Sequence, residues 1–284
     1  MSASVEIHPA TLDDVDRVCA FLEQNMNRGI PAAQFRWLFE YPWCKNRPNS
    51  GYILEHAGHL VGYLGAFYAE RTINGRTEKF CNPTNWCVLK EYRHASLSLL
   101  VRLLSLPDLN VNELTPIPEV EKLFRQLKFQ VLDTYKLFSL PFVQALGLFR
   151  LPRPELIADQ SELARVLPPL ERRIFEDHQG TPCGYLLVRD GVRCCFVVWS
   201  RRVRRGIPFS EILYVGDREV LRRHFEAVKL KIMWMDRTLL VAIDERLIGR
   251  RLFGMLPYRR ISLFRSKRLQ REQIDNLYSE LVFL

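Results

Sequence analysis

The chain has 284 residues, enough to bury a substantial core as one large or two modest domains. No apolar run reaches the ~18 residues that span a bilayer, and the opening MSASVEIHPA has no basic-then-apolar leader pattern, so the sequence reads as a cytoplasmic protein. Its seven cysteines are odd in number and form neither CxxC nor a metal-ligand spacing, which argues for reduced, mostly buried thiols and against a disulfide framework or a metal site.

In chain order, a short strand over Val5 to His8 precedes a helix that begins at Thr11, with Asp13 and Asp14 in its first turn and Val15, Val18, Cys19 and Leu22 on one face. Arg28 to Trp43 is rich in aromatic residues, which read as core or as the wall of a cleft rather than as a stacking platform for bases. From Gly51 the pattern changes to strands. Tyr52 to Glu55 and Leu60 to Arg71 form a hairpin about His56-Ala57-Gly58-His59, and Asn74-Gly75 marks a second hairpin turn.

The strand that follows ends over Thr84 to Leu89 and leads through Glu91-Tyr92-Arg93 into a helix, with Ser96 as the expected N-cap and Leu97, Leu99, Leu100, Leu103 and Leu104 at helical spacing. A strand feeding a helix N-terminus leaves backbone N–H groups without partners, and the helix dipole adds partial positive charge there. Arg93 and His94 add donors at the same place, so the expected ligand bears phosphate.

Val88, Glu91, Tyr92, Arg93, Ser96, Leu97 and Leu100 carry a resemblance to the acyl-CoA-binding motif of the GNAT acyltransferases, Arg/Gln-x-x-Gly-x-Gly/Ala, in which loop amides hold the pyrophosphate of coenzyme A. Ser96 and Ser98 stand at the two glycine positions. The N-terminal strand, turn and helix, and the three meandering strands before the motif, resemble the same family. The resemblance implies acetyl-CoA or another acyl-CoA as co-substrate. It places the pyrophosphate on Arg93, His94, Ala95, Ser96, Leu97 and Ser98, and the thioester and pantetheine on backbone near Cys87, Val88 and Leu89. For the base it leaves Glu78, Glu70 or a water held by Asn85; Asn85 and Glu78 are the candidate catalytic residues.

Beyond the motif, a strand over Leu109 to Leu114, a helix from Glu119 to Leu127 and a strand from Phe129 to Leu140 again resemble a GNAT domain. Lys128 replaces the usual glycine, and Phe124 stands where a tyrosine often serves as general acid. Phenylalanine has no proton to give.

Leu151-Pro152-Arg153-Pro154 and Val166-Leu167-Pro168-Pro169 bracket a linker with a short helix inside it. Strands are then expected over Arg172 to Asp177, Gly184 to Arg189, Arg193 to Arg202 and Phe209 to Val215. A helix over Asp217 to Lys229, a strand over Thr238 to Ile243 and a helix through Leu252 complete the pattern. This repeats the layout of residues 51 to 138 and resembles a second GNAT-like copy. Its turn, Tyr214 to Glu219, puts two acids where phosphate would sit, which implies a degenerate copy that shapes the acceptor cleft.

The expected fold is therefore α/β (α+β), two GNAT-like domains, each a mixed, mostly antiparallel sheet flanked by helices. The first spans residues 1–148, a linker 149–170, and the second 171–284. Of the net charge of +9, the first 150 residues hold 16 Lys and Arg against 15 Asp and Glu, so nearly all the excess falls later. Arg201-Arg202-Val203-Arg204-Arg205, Arg250-Arg251 and Arg259-Arg260 could meet nucleic acid, an acidic lipid surface or an anionic polymer. The first cluster is expected at a hairpin tip without a stacking surface, so nucleic acid is not the expected partner.

Three functions fit. The leading one is an acyl-CoA-dependent N-acyltransferase that passes acetyl or a similar acyl group to an amine of a small-molecule, sugar or peptide acceptor. The others are a non-catalytic tandem GNAT-like binding module and an aminoacyl-tRNA-dependent transferase.

Overall fold

The computed structural model describes residues 4–26, 30–141 and 153–283. It divides into two compact units. The first is Met1–Glu113 with Arg265–Arg268 and Tyr278–Glu280, and the second is Leu114–Phe264 with Leu269–Leu277 and Leu281–Leu284. The division thus falls at Glu113, ahead of the expected boundary at 148, because the helix and strand after Leu114 pack with the second unit. Of the expected linker, the described residues from 153 onward also belong to the second unit.

In the first unit, β1 (Val5–Pro9), β2 (Gly51–His56), β3 (His59–Ile73), β4 (Arg76–Val88) and β5 (Leu109–Glu113) lie in that order in the sheet. Every neighbouring pair is antiparallel except β4 and β5, which run parallel. Both expected hairpin turns form, with Ala57, Gly58, Asn74 and Gly75 all at positive φ, the conformation that tight two-residue turns demand. Between β1 and β2 lie α1 (Val15–Asn25), α2 (Ala32–Phe35) and α3 (Trp37–Glu40).

α1 begins as expected. The Asp14 carboxylate accepts from the Thr11 amide at 2.7 Å and from its hydroxyl at 3.1 Å, and Val15, Val18, Cys19, Phe21 and Leu22 are buried. The aromatic run proves to be core: Phe35, Phe39, Tyr41 and Trp43 are buried, and Tyr41 and Trp43 pack on Phe67 of β3 with ring centroids 5.0 and 5.9 Å away. Arg28 lies outside the described residues.

The second unit has the sheet order β12-β6-β11-β10-β9-β8-β7. Its strands are β6 (Gln130–Ser139), β7 (Glu155–Ile157), β8 (Cys183–Asp190), β9 (Arg193–Arg204), β10 (Ile207–Val215), β11 (Val241–Asp244) and β12 (Leu256–Arg265). Among the described residues β7–β8, β8–β9, β9–β10, β11–β6 and β12–β6 pair antiparallel, and β10 with β11 parallel. α4 (Ser96–Leu104) belongs to the first unit; α5 (Pro118–Gln126), α6 (Gln160–Val166), α7 (Pro169–Asp177), α8 (Arg218–Arg223), α9 (Phe225–Asp236) and α10 (Glu245–Ile248) belong to the second. A core of Leu186, Val188, Val197, Trp199, Ile212, Val228, Ile232 and Ile243 joins its sheet to α9.

Two sequence expectations fail here. Arg172 to Asp177 is not a strand but the body of α7, which has proline in its first turn and an Arg173–Asp177 pair at 3.0 Å across one helical turn. β12 was not anticipated at all, because Tyr258, Arg259 and Arg260 interrupt any apolar alternation before Ile261, Leu263 and Phe264 become buried.

Candidate active site in the first unit

β4 and β5 make a short parallel ladder that opens into a fork. Lys79, Phe80 and Cys81 pair with Leu109, Asn110 and Val111, and there the ladder ends, while β4 runs on to Val88 paired with β3 alone. At the vertex, the buried Asn82 donates its side-chain amide to the Asn112 carbonyl at 2.8 Å and accepts the Glu280 amide at 3.0 Å. Along the open arm the register against β3 slips: Thr84 faces Gly65 and Cys87 faces Tyr63, so Asn85 and Trp86 together oppose Leu64. Asn85 takes φ of 48° to make this bulge, which re-aims the backbone of the open arm. β3 stays close because Gly62 has no side chain; a Cβ there would lie 2.9 Å from Val88.

The arm ends in a 3₁₀ turn over Lys90–Ala95 that runs straight into α4. Ser96 is therefore the first residue of the helix and not its cap; Ala95 holds that position and no side chain caps the end. Two of the amides expected to meet a ligand are used within the chain. The Leu89 amide donates to the Val61 carbonyl at 2.9 Å, and the Ser96 amide donates to the Arg93 carbonyl. The Ser98 hydroxyl turns back to the Ala95 carbonyl. What stands ready for an anion is the exposed pair Arg93 and His94, beside the start of α4, where the helix dipole favours negative charge. The turn is anchored by Tyr92, whose ring lies 5.2 Å from that of His56.

The sequence candidates therefore divide. Asn85, Cys87 and Val88 lie on the open arm, half-buried, and Leu89 to Ser98 form the turn and helix start at its end. Glu78 does not join them. It sits before the fork, buried, where its carboxylate accepts from Asn110 at 3.0 Å and Arg268 at 3.2 Å, and these two donors hold its pKa below the usual carboxylate value. A carboxylate held ionised by two fixed partners is a structural acceptor. Glu70 is exposed on β3. Phe124 is fully buried in the second unit with its ring 4.6 Å from that of Phe129, so it is a core residue and not the counterpart of a tyrosine facing substrate.

Two residues escaped the sequence reading. The Trp86 indole N–H, on the bulge itself, is buried with no hydrogen-bond partner among the described residues, an arrangement that costs about 1–3 kcal/mol unless something accepts from it. Glu113, buried at the end of β5, follows the vertex residue Asn112 and places a carboxylate on the other arm. A charged residue inside an otherwise buried strand is the available signal.

The second unit repeats the fork in outline. β10 and β11 pair in parallel only over Ser210–Ile212 and Val241–Ile243, and β10 carries its own bulge between Ile212 and Tyr214. Its helix start differs: the Asp217 carboxylate caps α8 through the Glu219 and Val220 amides at 2.9 and 3.1 Å and also takes Arg193 at 2.6 Å. The protein's own carboxylate fills the place an anion would take.

Comparison with solved structures finds the same architecture. An N-acetyltransferase of the GCN5-related type from Anabaena variabilis matches with a TM-score of 0.56 at 11% identity, over 92% of this chain and 72% of that one. An acetyltransferase from Pyrococcus horikoshii matches at 0.55 and 15% identity, over 98% and 95%. The N-myristoyltransferase of Saccharomyces cerevisiae, solved with myristoyl-CoA bound, matches at 0.53 and 10% identity, over 98% and 85%. No protein-family model and no curated protein matches the sequence.

Proposed function

We propose that this chain, which has the GNAT fold, is an acyl-CoA-dependent N-acyltransferase whose working site is the β4/β5 fork of the first unit. The observation that carries the reading is the fork itself: a parallel pair that opens beside a bulge, with a buried donor on Trp86 and a helix start at the end of the arm. Such a cleft can hold a long thioester in extended form, its carbonyl at the bulge and its phosphates at Arg93, His94 and the first turn of α4.

Transfer would be direct. The acceptor amine attacks the thioester carbonyl carbon, the C–S bond breaks, the sulfur leaves as thiolate and takes up a proton, and the amine loses one. Trp86 and backbone N–H groups of the open arm would stabilise the developing oxyanion, and Glu113 is the carboxylate we assign to the amine proton. In this reading the second unit is a copy whose anion site Asp217 has closed, so one acyl-CoA binds per chain.

The test is calorimetry and thermal shift of the full chain against acetyl-CoA and longer acyl-CoAs. Saturable binding at one site per chain is expected. The absence of binding across the series sinks the proposal, and a stoichiometry of two sinks the assignment of the second unit. A non-catalytic binding module is the second reading, favoured by the internal use of the Leu89 and Ser96 amides; binding without turnover of any amine acceptor would select it.

A further inference from the structure

The exposed apolar residues of the second unit concentrate at one end of its sheet. Register brings together the C-terminal ends of β9 and β6 and the N-terminal ends of β10, β11 and β12: Val203 pairs with Pro208, Ser210 with Val241, Val241 with Ser139, and Phe138 with Leu256. The end of α9 joins them, because the Asp236 carboxylate accepts from the Trp199 indole at 2.8 Å and the Ser210 hydroxyl at 2.7 Å.

On this rim Val203 and Ile207 flank the β9/β10 turn, Trp234 is 75% exposed near the end of α9, Leu239 is 72% exposed just before β11, and Leu256 opens β12. Phe253, 85% exposed, stands in the turn that feeds β12. Leaving side chains of this size in water forfeits about 25 cal/mol for each Å² of apolar surface, so six on one rim call for a partner that is apolar at the point of contact.

The charge of the rim selects the partner. Arg201, Arg204, Arg205 and Arg237 are exposed among these apolar residues. The acids near them are engaged internally: Asp236 by Trp199 and Ser210, and the buried Glu211 by Lys136 and by Arg202 at 3.3 Å. A second copy of the same rim would bring like charge against like charge. Nucleic acid would need a row of open aromatic faces for its bases, yet Arg204 lies 4.4 Å over the Tyr258 ring and Lys231 lies 4.8 Å over the Trp234 ring, so beside Phe253 no such row forms among the exposed aromatic residues of the rim. An anionic bilayer surface satisfies both features, since cations meet the headgroups while Trp, Phe and aliphatic side chains enter the boundary beneath them.

We propose that this rim of the second unit docks on anionic lipid bilayers. The experiment is co-sedimentation of the full chain with vesicles of phosphatidylcholine alone and with about one-third phosphatidylglycerol, an anionic fraction that gives the surface its negative potential. Three variants accompany it: Trp234→Ala/Phe253→Ala, Arg204→Ser/Arg205→Ser/Arg237→Ser, and Trp234→Phe. All alter exposed side chains, and an unchanged melting curve verifies the fold.

Binding to the anionic vesicles and not to the neutral ones is expected. The partition coefficient should fall at least about tenfold in each of the first two variants, the change produced by ~1.4 kcal/mol. Quenching of tryptophan fluorescence by brominated lipid should be lost in Trp234→Phe. Wild-type protein that stays in the supernatant, binding that survives both multiple variants, or quenching unchanged in Trp234→Phe overturns the proposal. So does tighter binding to a generic oligonucleotide than to the vesicles, or self-association that the apolar variant abolishes.

Discussion

The Asn82 side-chain amide donates to the Asn112 carbonyl at 2.8 Å, one residue past the last pair of the β4/β5 ladder. A side chain here takes over the role of the next ladder hydrogen bond while the two strands diverge. Because Asn82 is 1% exposed and also accepts the Glu280 amide, its replacement leaves two buried backbone groups without partners. Asn82→Ala should cost about 2 kcal/mol or more in urea unfolding, on the usual range of about 1–3 kcal/mol per orphaned group. A cost under ~0.5 kcal/mol would show that the vertex is held by the surrounding packing instead.

The helix start makes a second prediction. Arg93 is exposed and forms no ion pair with Glu91 among the described residues, so its guanidinium can meet an anion. Arg93→Ala should weaken coenzyme A binding in calorimetry by about 1.5–3 kcal/mol, the value of a charge-assisted hydrogen bond. Equal affinity in a folded variant would remove Arg93 from the site.

Variants of Trp86 and Glu113 test the proposed site by separating binding from chemistry. Trp86→Phe removes a donor that has no acceptor among the described residues, so stability should hold or rise by up to about 1 kcal/mol while acyl-CoA turnover falls. Glu113→Gln keeps the shape of the β5 end and should lower kcat by about 10²-fold or more with little change in KM, the signature of a lost proton acceptor. Proportional loss in kcat for all acceptors, whatever the pH, would instead mark Glu113 as a positioning residue.

Much of this fork was legible in the sequence, for local reasons. Ala57-Gly58 and Asn74-Gly75 announce turns because those residues tolerate the positive φ that such turns need. The strand into Val88 and the leucines of α4 announce a strand followed by a helix. What was not legible is nonlocal. The sequence offers Glu78 as a candidate base, but its partners Asn110 and Arg268 lie 32 and 190 residues away. Ser96 has the chemistry of an N-cap, yet the 3₁₀ turn over Lys90–Ala95 runs straight into the helix and moves the cap position to Ala95. Phe124 fits a sequence motif by spacing, while burial against Phe129 decides its role.

Lys128 shows a motif position meeting a backbone constraint. It has φ of 63° in the turn after α5, the left-handed conformation that glycine adopts freely and that costs a side-chain-bearing residue about 1–2 kcal/mol. Lys128→Gly recovers that strain and gives back part of it through the added freedom of the unfolded chain, about 0.4–1 kcal/mol. The net expectation is a gain of up to about 1 kcal/mol in thermal unfolding. A loss of stability would mean that the lysine side chain contributes packing that outweighs the strain.

The last prediction concerns pH and a buried acid of the second unit. Asp133 is 1% exposed; it accepts from the Arg246 guanidinium and the Arg246 amide, each at 3.0 Å. Burial pushes its carboxyl up to about 6, against the pull of the Arg246 charge and with the help of the Asp244 carboxylate. The folded value thus lies above the 3.8 of an unperturbed aspartate, so between those two values the folded chain binds more protons than the unfolded one. The stability Asp133 contributes is complete below the unfolded value and is lost as pH rises through about 6. Glu211 works in the opposite sense. Despite its burial, Lys136 first and then Arg202 and Arg260 draw it down to about 2, so its contribution is lost as pH falls below the ordinary glutamate value of 4.5. Between 4.5 and about 6, then, of this pair only Asp133 titrates. A carbon-13 titration of its carboxyl in the folded chain should show a midpoint near 6, and urea stability of the second unit should decline as pH rises across that window. In Asp133→Asn the decline should flatten, although the variant is less stable at every pH because Arg246 is left buried with one fewer acceptor. A carboxyl midpoint at or below the unperturbed 3.8 would show that the Arg246 pairing outweighs burial, and the stability slope would then reverse.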